Sequence, residues 1–194
     1  METSWTVYQN LITCLTKYRG LEVEEVLEKE DFVRTMQYEQ VIKIIAGNTI
    51  VILVGYDSPK VKKLPDFRKL LSKFAPELEE DNKDLEVLII TDTQLKINPK
   101  NEMEKYPIHF KNYTYSFFKM ELPTHIYFGE HNLMTEDEVI IIEKQLSTNR
   151  KNFPKINHEN DGGAIWVGAK PGQCVRIKNL IETSGEIIGY RYVI

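Results

Sequence analysis

Apolar residues recur at Trp5, Tyr8, Leu11, Ile12, Leu15 and Tyr18, the i, i+3, i+4, i+7 spacing of a helix with one buried stripe. Gly20 predicts its end. Val23 to Met36 continues as a strongly charged helical pattern, with Val26, Leu27, Phe32 and Val33 available for a core and an acidic face left to solvent. The period then changes. Two β-branched runs, Val41 to Ala46 and Thr49 to Tyr56, flank Gly47-Asn48, a pair that tolerates positive φ and predicts a hairpin. Ser58 to Lys63 follows as a polar loop. Pro65 to Phe74 carries Phe67, Leu70, Leu71 and Phe74 at helical spacing, Glu77 to Asp84 is an acidic connection, and Leu85 to Thr91 is an apolar run suited to a central strand. Asp92 to Pro107 is polar and irregular, with Pro99 and Pro107 barring a long helix. Tyr113, Tyr115 and Phe117 alternate with Thr114, Ser116 and Phe118 like a strand.

A boundary is expected near residues 118 to 122, where the composition changes. Beyond it, Thr135 with Glu138 three residues on forms a capping box for a helix from Glu136 to about Leu146. Lys151 to Asn160 has the composition of a polar linker. Lys170-Pro171-Gly172-Gln173 has proline second and glycine third, as a type II turn requires. Val175 and Ile177 then alternate with Arg176 and Lys178, Glu182-Thr183-Ser184-Gly185 breaks that strand, and Tyr190, Tyr192 and Ile194 alternate with Gly189, Arg191 and Val193 in a second. The stretch from Asp161 onward therefore predicts a terminal β-hairpin.

The spelling of that stretch is more specific than its periodicity. Asp161, Ala164, Gly168, Lys170, Gly172-Gln173, Val175, Ile177, Glu182-Thr183, Gly185 and Tyr190-Arg191 resemble the C-terminal signature of the RNA polymerase subunit 5 family, found in eukaryotes and, as an equivalent shorter subunit, in archaea. Gly129-Glu130-His131, Met134-Thr135-Glu136-Asp137-Glu138, Leu146 and Pro154-Lys155-Ile156 extend the resemblance over His125 to Ile194. Trp5, Leu11, Tyr18-Arg19-Gly20 and Leu27 look like the first helices of the eukaryotic form's additional N-terminal domain. The chain departs from the family pattern at four places: Gly162 stands where proline is usual, Ile165 and Pro171 where basic residues are usual, and Val167 where a second aromatic is usual.

The resemblance implies an α+β protein of two domains. Residues 1–120 would be a restriction-endonuclease-like jaw domain, and residues 121–194 a small mixed α/β assembly domain ending in a β-hairpin. It implies a non-catalytic subunit of a multisubunit DNA-dependent RNA polymerase, docked on the largest subunit among the other polymerase subunits, with downstream DNA nearby. In the docking domain Gly168, Lys170, Gly172 and Gln173 are expected to shape the turn, and Glu182, Thr183, Tyr190 and Arg191 to supply polar contacts to the partner. The alternative for each residue is a role in the domain's own structure.

Composition narrows the remaining classes. The chain has 194 residues, 42% of them hydrophobic, enough for a sizeable core. Net charge is −4; residues 151–194 hold 6 basic and 4 acidic side chains, leaving 19 and 25 in the rest. An autonomous nucleic-acid binder is expected to concentrate Lys and Arg on one face, and no such stripe is apparent. Cys14 and Cys174 are 160 positions apart, which argues against a disulfide framework or a zinc site and for a reducing compartment. No signal-peptide pattern appears, and the longest apolar runs, Ile50 to Val54 and Val139 to Ile142, are too short to span a bilayer. A soluble, unsecreted protein without a membrane or small-molecule partner is expected.

A metal-dependent nuclease needs two acids and a lysine converging on a divalent ion. Pro65-Asp66 with Gln94-Leu95-Lys96 is the nearest candidate, but its second acid is a glutamine and Asp66 suits a helix start. His109, His125, His131 and His158 show no ligand spacing, so neither a metal nor another cofactor is expected. Tyr113, Tyr115, Phe117 and Phe118 lack interleaved basic residues and are expected in the core. A free-standing β-rich binding module remains the alternative to the polymerase subunit. Abundant Lys, Asn and Ile fit an AT-rich genome such as that of a large DNA virus with its own polymerase, placing the protein in cytoplasmic viral factories and the virion. A divergent eukaryote, with a nuclear protein, is the other source.

Overall fold

The run Thr49-Ile-Val-Ile-Leu-Val54 is buried at every position, and a strand with both sets of side chains apolar needs cover on both faces. It is central to the first of two compact units, Met1–Met120 and Glu121–Ile194. The computed structural model describes residues 2–61, 63–74, 84–106, 108–125, 128–181 and 185–194. The expected acidic connection from Glu77 therefore falls almost entirely outside the described residues.

In the first unit β1 (Val41–Ala46) and β2 (Thr49–Val54) form the expected hairpin, with Ala46 opposite Thr49 and Gly47 at φ +54°. β3 (Glu86–Thr91) pairs parallel with β2, and β4 (His109–Thr114) parallel with β3, giving the order β1-β2-β3-β4. On one face Ile50, Ile52, Val87 and Ile89 pack with Phe67, Leu70 and Leu71 of α3 (Leu64–Phe74) and Met103 of α4 (Ile97–Met103). The alternate positions Val51, Leu53, Leu88 and Ile90 are equally buried. α1 (Glu2–Thr13) continues through a π turn, Cys14–Tyr18, to Gly20 at φ +66°. Its buried stripe is Val7, Tyr8, Leu11, Cys14 and Leu15, and Trp5 and Tyr8 pack on Phe32 of α2 (Lys29–Tyr38) with ring centroids 5.0 and 5.1 Å away.

An ion triad fixes the end of that first helix to the sheet. Arg19 lies 3.1 Å from one Glu86 oxygen and Lys111 lies 3.2 Å from the other, all three side chains nearly buried. Glu86 is paired with Thr49 and, like Leu88 and Ile90, belongs to the face opposite α3. Arg19 thereby places the C-terminal end of α1 on that face.

Three sequence expectations change here. The second helix begins at Lys29 rather than near Val23, because Val23 bridges Ala46, Glu24 N–H bonds the Ile45 carbonyl at 3.0 Å, and Leu27 N–H donates to the Tyr8 hydroxyl at 2.7 Å. The sheet edge and α1 take those backbone groups before a helix can. Residues Ile97–Met103 form a helix, since Pro99 sits in its first turn, where a missing N–H costs nothing. The alternation from Tyr113 to Phe118 is not one strand. β4 ends at Thr114 and Tyr115–Phe117 is a 3₁₀ turn, whose three-residue period buries Tyr115 and Phe118 together.

The second unit is built on β7 (Cys174–Ile181) and β8 (Gly185–Val193), paired antiparallel from Cys174↔Tyr192 to Ile181↔Gly185. β5 (Glu130–Leu133) pairs antiparallel with β7 and β6 (Lys155–Ile156) parallel with β8, for the order β5-β7-β8-β6. One sheet face packs Cys174, Tyr190 and Tyr192 on Val139 and Ile142 of α5 (Glu136–Gln145), with Met134 and Phe153. The capping box of Thr135 and Glu138 is formed as expected. The other face packs Val175, Ile177 and Val193 on Ala164 of α6 (Gly162–Trp166), with Ala169 and Ile156. The expected polar linker from Lys151 is more ordered than its composition: the 3₁₀ turn Arg150–Asn152 leads into β6, and Phe153 and Ile156 are buried.

Removing Glu86 would leave two cations buried without their shared anion. Glu86→Ala is expected to destabilise the chain by about 3–5 kcal/mol, measured as a lower urea midpoint in equilibrium unfolding.

Candidate assembly surface of the C-terminal unit

Asp161 opens this surface as the N-cap of α6, its carboxylate accepting the Ala164 N–H at 3.0 Å. The helix ends in a Schellman motif: Gly168 N–H bonds the Ile165 carbonyl at 3.2 Å and Ala169 N–H the Ala164 carbonyl at 2.9 Å, with Gly168 at φ +67°. A turn follows at once. Gln173 N–H bonds the Lys170 carbonyl at 3.1 Å, the Gln173 side-chain oxygen accepts the Lys170 N–H at 2.7 Å, and Gly172 takes φ +92°. Gly172 N–H then donates to the Val193 carbonyl at 3.0 Å, and Val193 N–H to the Gln173 carbonyl at 2.9 Å. The turn is strapped to the end of β8.

Four of the residues singled out in the sequence, Gly168, Lys170, Gly172 and Gln173, thus meet in one corner, with Lys170 exposed. Tyr190 and Arg191 are adjacent in sequence but lie on opposite sheet faces. The Tyr190 ring lies 6.0 Å from Phe153 between centroids and belongs largely to the α5 core. Arg191, opposite Val175, donates from Nη1 to the Tyr190 carbonyl at 3.1 Å. Glu182 and Thr183 lie outside the described residues.

The glycines where the family pattern has proline and beyond are tightly enclosed. A Cβ on Gly162 would meet Leu122 at 2.3 Å, and one on Gly163 would meet the His131 ring at 2.3 Å. His131 stacks on Phe128 at 4.8 Å and its Nδ1–H donates to the Gly129 carbonyl at 2.6 Å. Burial of the imidazole pushes its pKa below the usual histidine value, against the opposing pull of the Gly129 carbonyl and Asp161, with Arg191 adding to the depression.

Sequence reasoning missed a second feature. Leu180, Ile187 and Ile188 are 83, 45 and 48% exposed on the hairpin, past the reach of α5 and α6. The signal was present as the pair Ile187-Ile188, which breaks alternation and puts an isoleucine on each face. In the first unit, Asp66 sits in the opening turn of α3, while Gln94 and Lys96 are exposed on the loop before α4. Among the described residues no group of three or more His, Cys, Asp or Glu side chains is arranged to hold a metal, and none of the helices is long and apolar enough to cross a membrane. Cys14 and Cys174 are buried thiols.

A two-faced sheet closed by a strapped hairpin, with α5 on one face and α6 on the other, defines a small α+β domain. Residues 120–193 match the family model described as RNA polymerase Rpb5, C-terminal domain. The chain is 33% identical over 76 residues to DNA-directed RNA polymerase subunit Rpo5 of Methanococcoides burtonii, covering 39% of this chain and 96% of that one. It is 33% identical over 76 residues to the Rpo5 of Archaeoglobus fulgidus, 39% of this chain and 99% of that one. With the Rpo5 of Sulfurisphaera tokodaii it shares 34% identity over 79 residues, 41% and 93% of the two chains. The chain belongs to the RNA polymerase subunit 5 family.

Two measurements check the local reading. Gly172→Ala, which meets no neighbouring atom but keeps a positive φ, is expected to cost about 1–2 kcal/mol, read as a lower melting temperature. A depressed histidine pKa means the unfolded chain binds the extra proton first. His131 therefore contributes stability above its ordinary pKa of about 6.5, lost as pH falls below that value. Thermal unfolding across that range should show the loss, and His131→Gln should flatten it.

Proposed function

We propose that this chain is a non-catalytic subunit of a multisubunit DNA-dependent RNA polymerase. The observations that carry the proposal are that residues 120–193 match the family's C-terminal domain and that 76 residues of the chain align with nearly the whole of archaeal proteins named as that subunit. The C-terminal unit docks on the largest subunit and helps assemble the enzyme. Lys170, exposed on its turn, and Arg191, on the α6 side of β8, are the cations through which the corner would meet its partner. Gly168, Gly172 and Gln173 hold that corner in shape, and Glu182 and Thr183 keep the contact role implied by the resemblance.

The N-terminal unit projects as a jaw near incoming DNA. Its support is architectural: a mixed four-stranded sheet, covered on both faces, with β2, β3 and β4 parallel, is compatible with a restriction-endonuclease-like core. Nucleotidyl transfer belongs to the large subunits in this proposal. Its second part is a viral source, supported by the Lys-, Asn- and Ile-rich composition, with the protein in cytoplasmic factories and the virion. Co-purification with a host nuclear polymerase overturns that part.

Affinity capture of the tagged full chain from its native source at high salt should recover the largest polymerase subunits in near-equal amounts. A Lys170→Glu, Arg191→Glu double variant should lose at least about tenfold of that recovery, as for truncating interface charge pairs. Recovery of the chain alone would overturn the subunit proposal and favour a free-standing module.

A further inference from the structure

The hydrogen-bonding parity of β8 leaves one side of the strand open. Tyr192 N–H donates to the Pro154 carbonyl at 3.0 Å and Ile194 N–H to the Ile156 carbonyl at 2.9 Å, whereas Val193 N–H turns the other way, to Gln173. Even-numbered residues of β8 therefore direct their backbone groups toward β6, and odd-numbered ones toward β7. β6 covers only Tyr192 and Val193. It cannot extend along the strand, because Pro154 has no N–H to continue the ladder and Phe153 turns into the core behind the 3₁₀ turn Arg150–Asn152. Arg191 caps the Tyr190 carbonyl. Among the described residues, no strand lies against the N–H groups of Glu186, Ile188 and Tyr190 or the carbonyls of Glu186 and Ile188.

A bare edge of this kind is a template for another strand. Exposed apolar side chains flank it on both sides: Ile188 and Leu180 on one sheet face, beside the Lys178–Glu186 ion pair, and Ile187 on the other. We propose that the β8 edge from Glu186 to Tyr190 accepts an extended segment of another polypeptide of the polymerase, which adds as a strand in the lane that β6 begins. This rests on the polymerase-subunit reading and supplies its mode of contact. A second copy of the chain is the poorer occupant. Pairing two such short edges covers on the order of a few hundred Å², short of the roughly 1,000 Å² expected of a specific dimer. It also leaves the isoleucines on both faces uncovered. A strand donated by a larger folded partner continues onto both faces.

The test is hydrogen–deuterium exchange of the full chain, free and within the polymerase purified from its source. Free, the Glu186, Ile188 and Tyr190 amides should exchange faster than those of Ile187, Gly189 and Arg191, which face β7. In the assembly they should slow by at least about tenfold. Ile188→Pro removes one outward donor without touching the β7 ladder, so it should leave the melting temperature of the free chain near wild type and lower capture of the polymerase by about tenfold. Ile187→Pro, which breaks the ladder, should lower the melting temperature itself. Fast edge amides in a polymerase that contains the chain overturn the strand-addition proposal while the subunit reading stands. Absence of the chain from the polymerase overturns both. Concentration-dependent protection in the chain alone assigns the edge to a second copy and also overturns the proposal.

Discussion

The C-terminal unit depends on one backbone constraint, the positive φ of Gly172. Only with the chain reversed at that residue can its N–H reach the Val193 carbonyl while Val193 N–H reaches Gln173, and this reciprocal pair sets the register of the whole β7–β8 ladder. A one-residue slip of β8 would exchange its two faces relative to β7. Tyr190 and Tyr192 would then leave the α5 core and Val193 the α6 core. Glycine provides this reversal without a Cβ to oppose it, and the Lys170–Gln173 side-chain bond closes the turn independently of any partner. The corner is consequently a folding device first, and whatever binds there meets a preformed shape.

The N-terminal unit has a different anchor. Its sheet is apolar on both faces, so hydrophobic burial alone specifies that helices cover it but not where each helix ends. The Arg19–Glu86–Lys111 triad supplies that information. Glu86 stands at the start of β3, in the middle of the sheet, where an anion is costly unless two donors meet it. Lys111 comes from the neighbouring β4 and Arg19 from the end of the first helix, so the helix must stop where its guanidinium reaches the strand. Charge placed inside an apolar layer acts here as a position marker.

Elements whose partners are close in sequence were legible in it. The β1–β2 hairpin, the capping box at Thr135, the Gly172 turn and the α3 stripe all follow from local spacing, none reaching beyond a single hairpin or helix. What escaped was decided by distant groups. Val23 to Leu27 has a helical pattern yet is drawn to the edge of β1 and to the Tyr8 hydroxyl. Lys155-Ile156 is a strand only because β8, almost forty residues later, offers it an edge. Tyr190 and Arg191 alternate in the sequence as a strand requires, but spacing could not show that the Tyr190 ring joins the α5 core while Arg191 bonds a backbone carbonyl. Resemblance located the family's C-terminal domain; it could not show which of its features are spent on holding the domain together.

That distinction bears on how such a small domain can serve a large assembly. Sheet edges invite indiscriminate pairing, and proteins usually cover or blunt them. Here the same residues that build the unit also limit the exposure: β6 covers the end of β8 nearest the strapped corner, Pro154 stops the cover, and Arg191 closes the last carbonyl before the open stretch. The opening that remains is short, and it is flanked by isoleucines on two faces, an arrangement suited to a partner shaped to cover both. Backbone pairing fixes direction and register, while the apolar flanks supply most of the driving force. A subunit without chemistry of its own can thus be selective through how little of its edge it leaves uncovered.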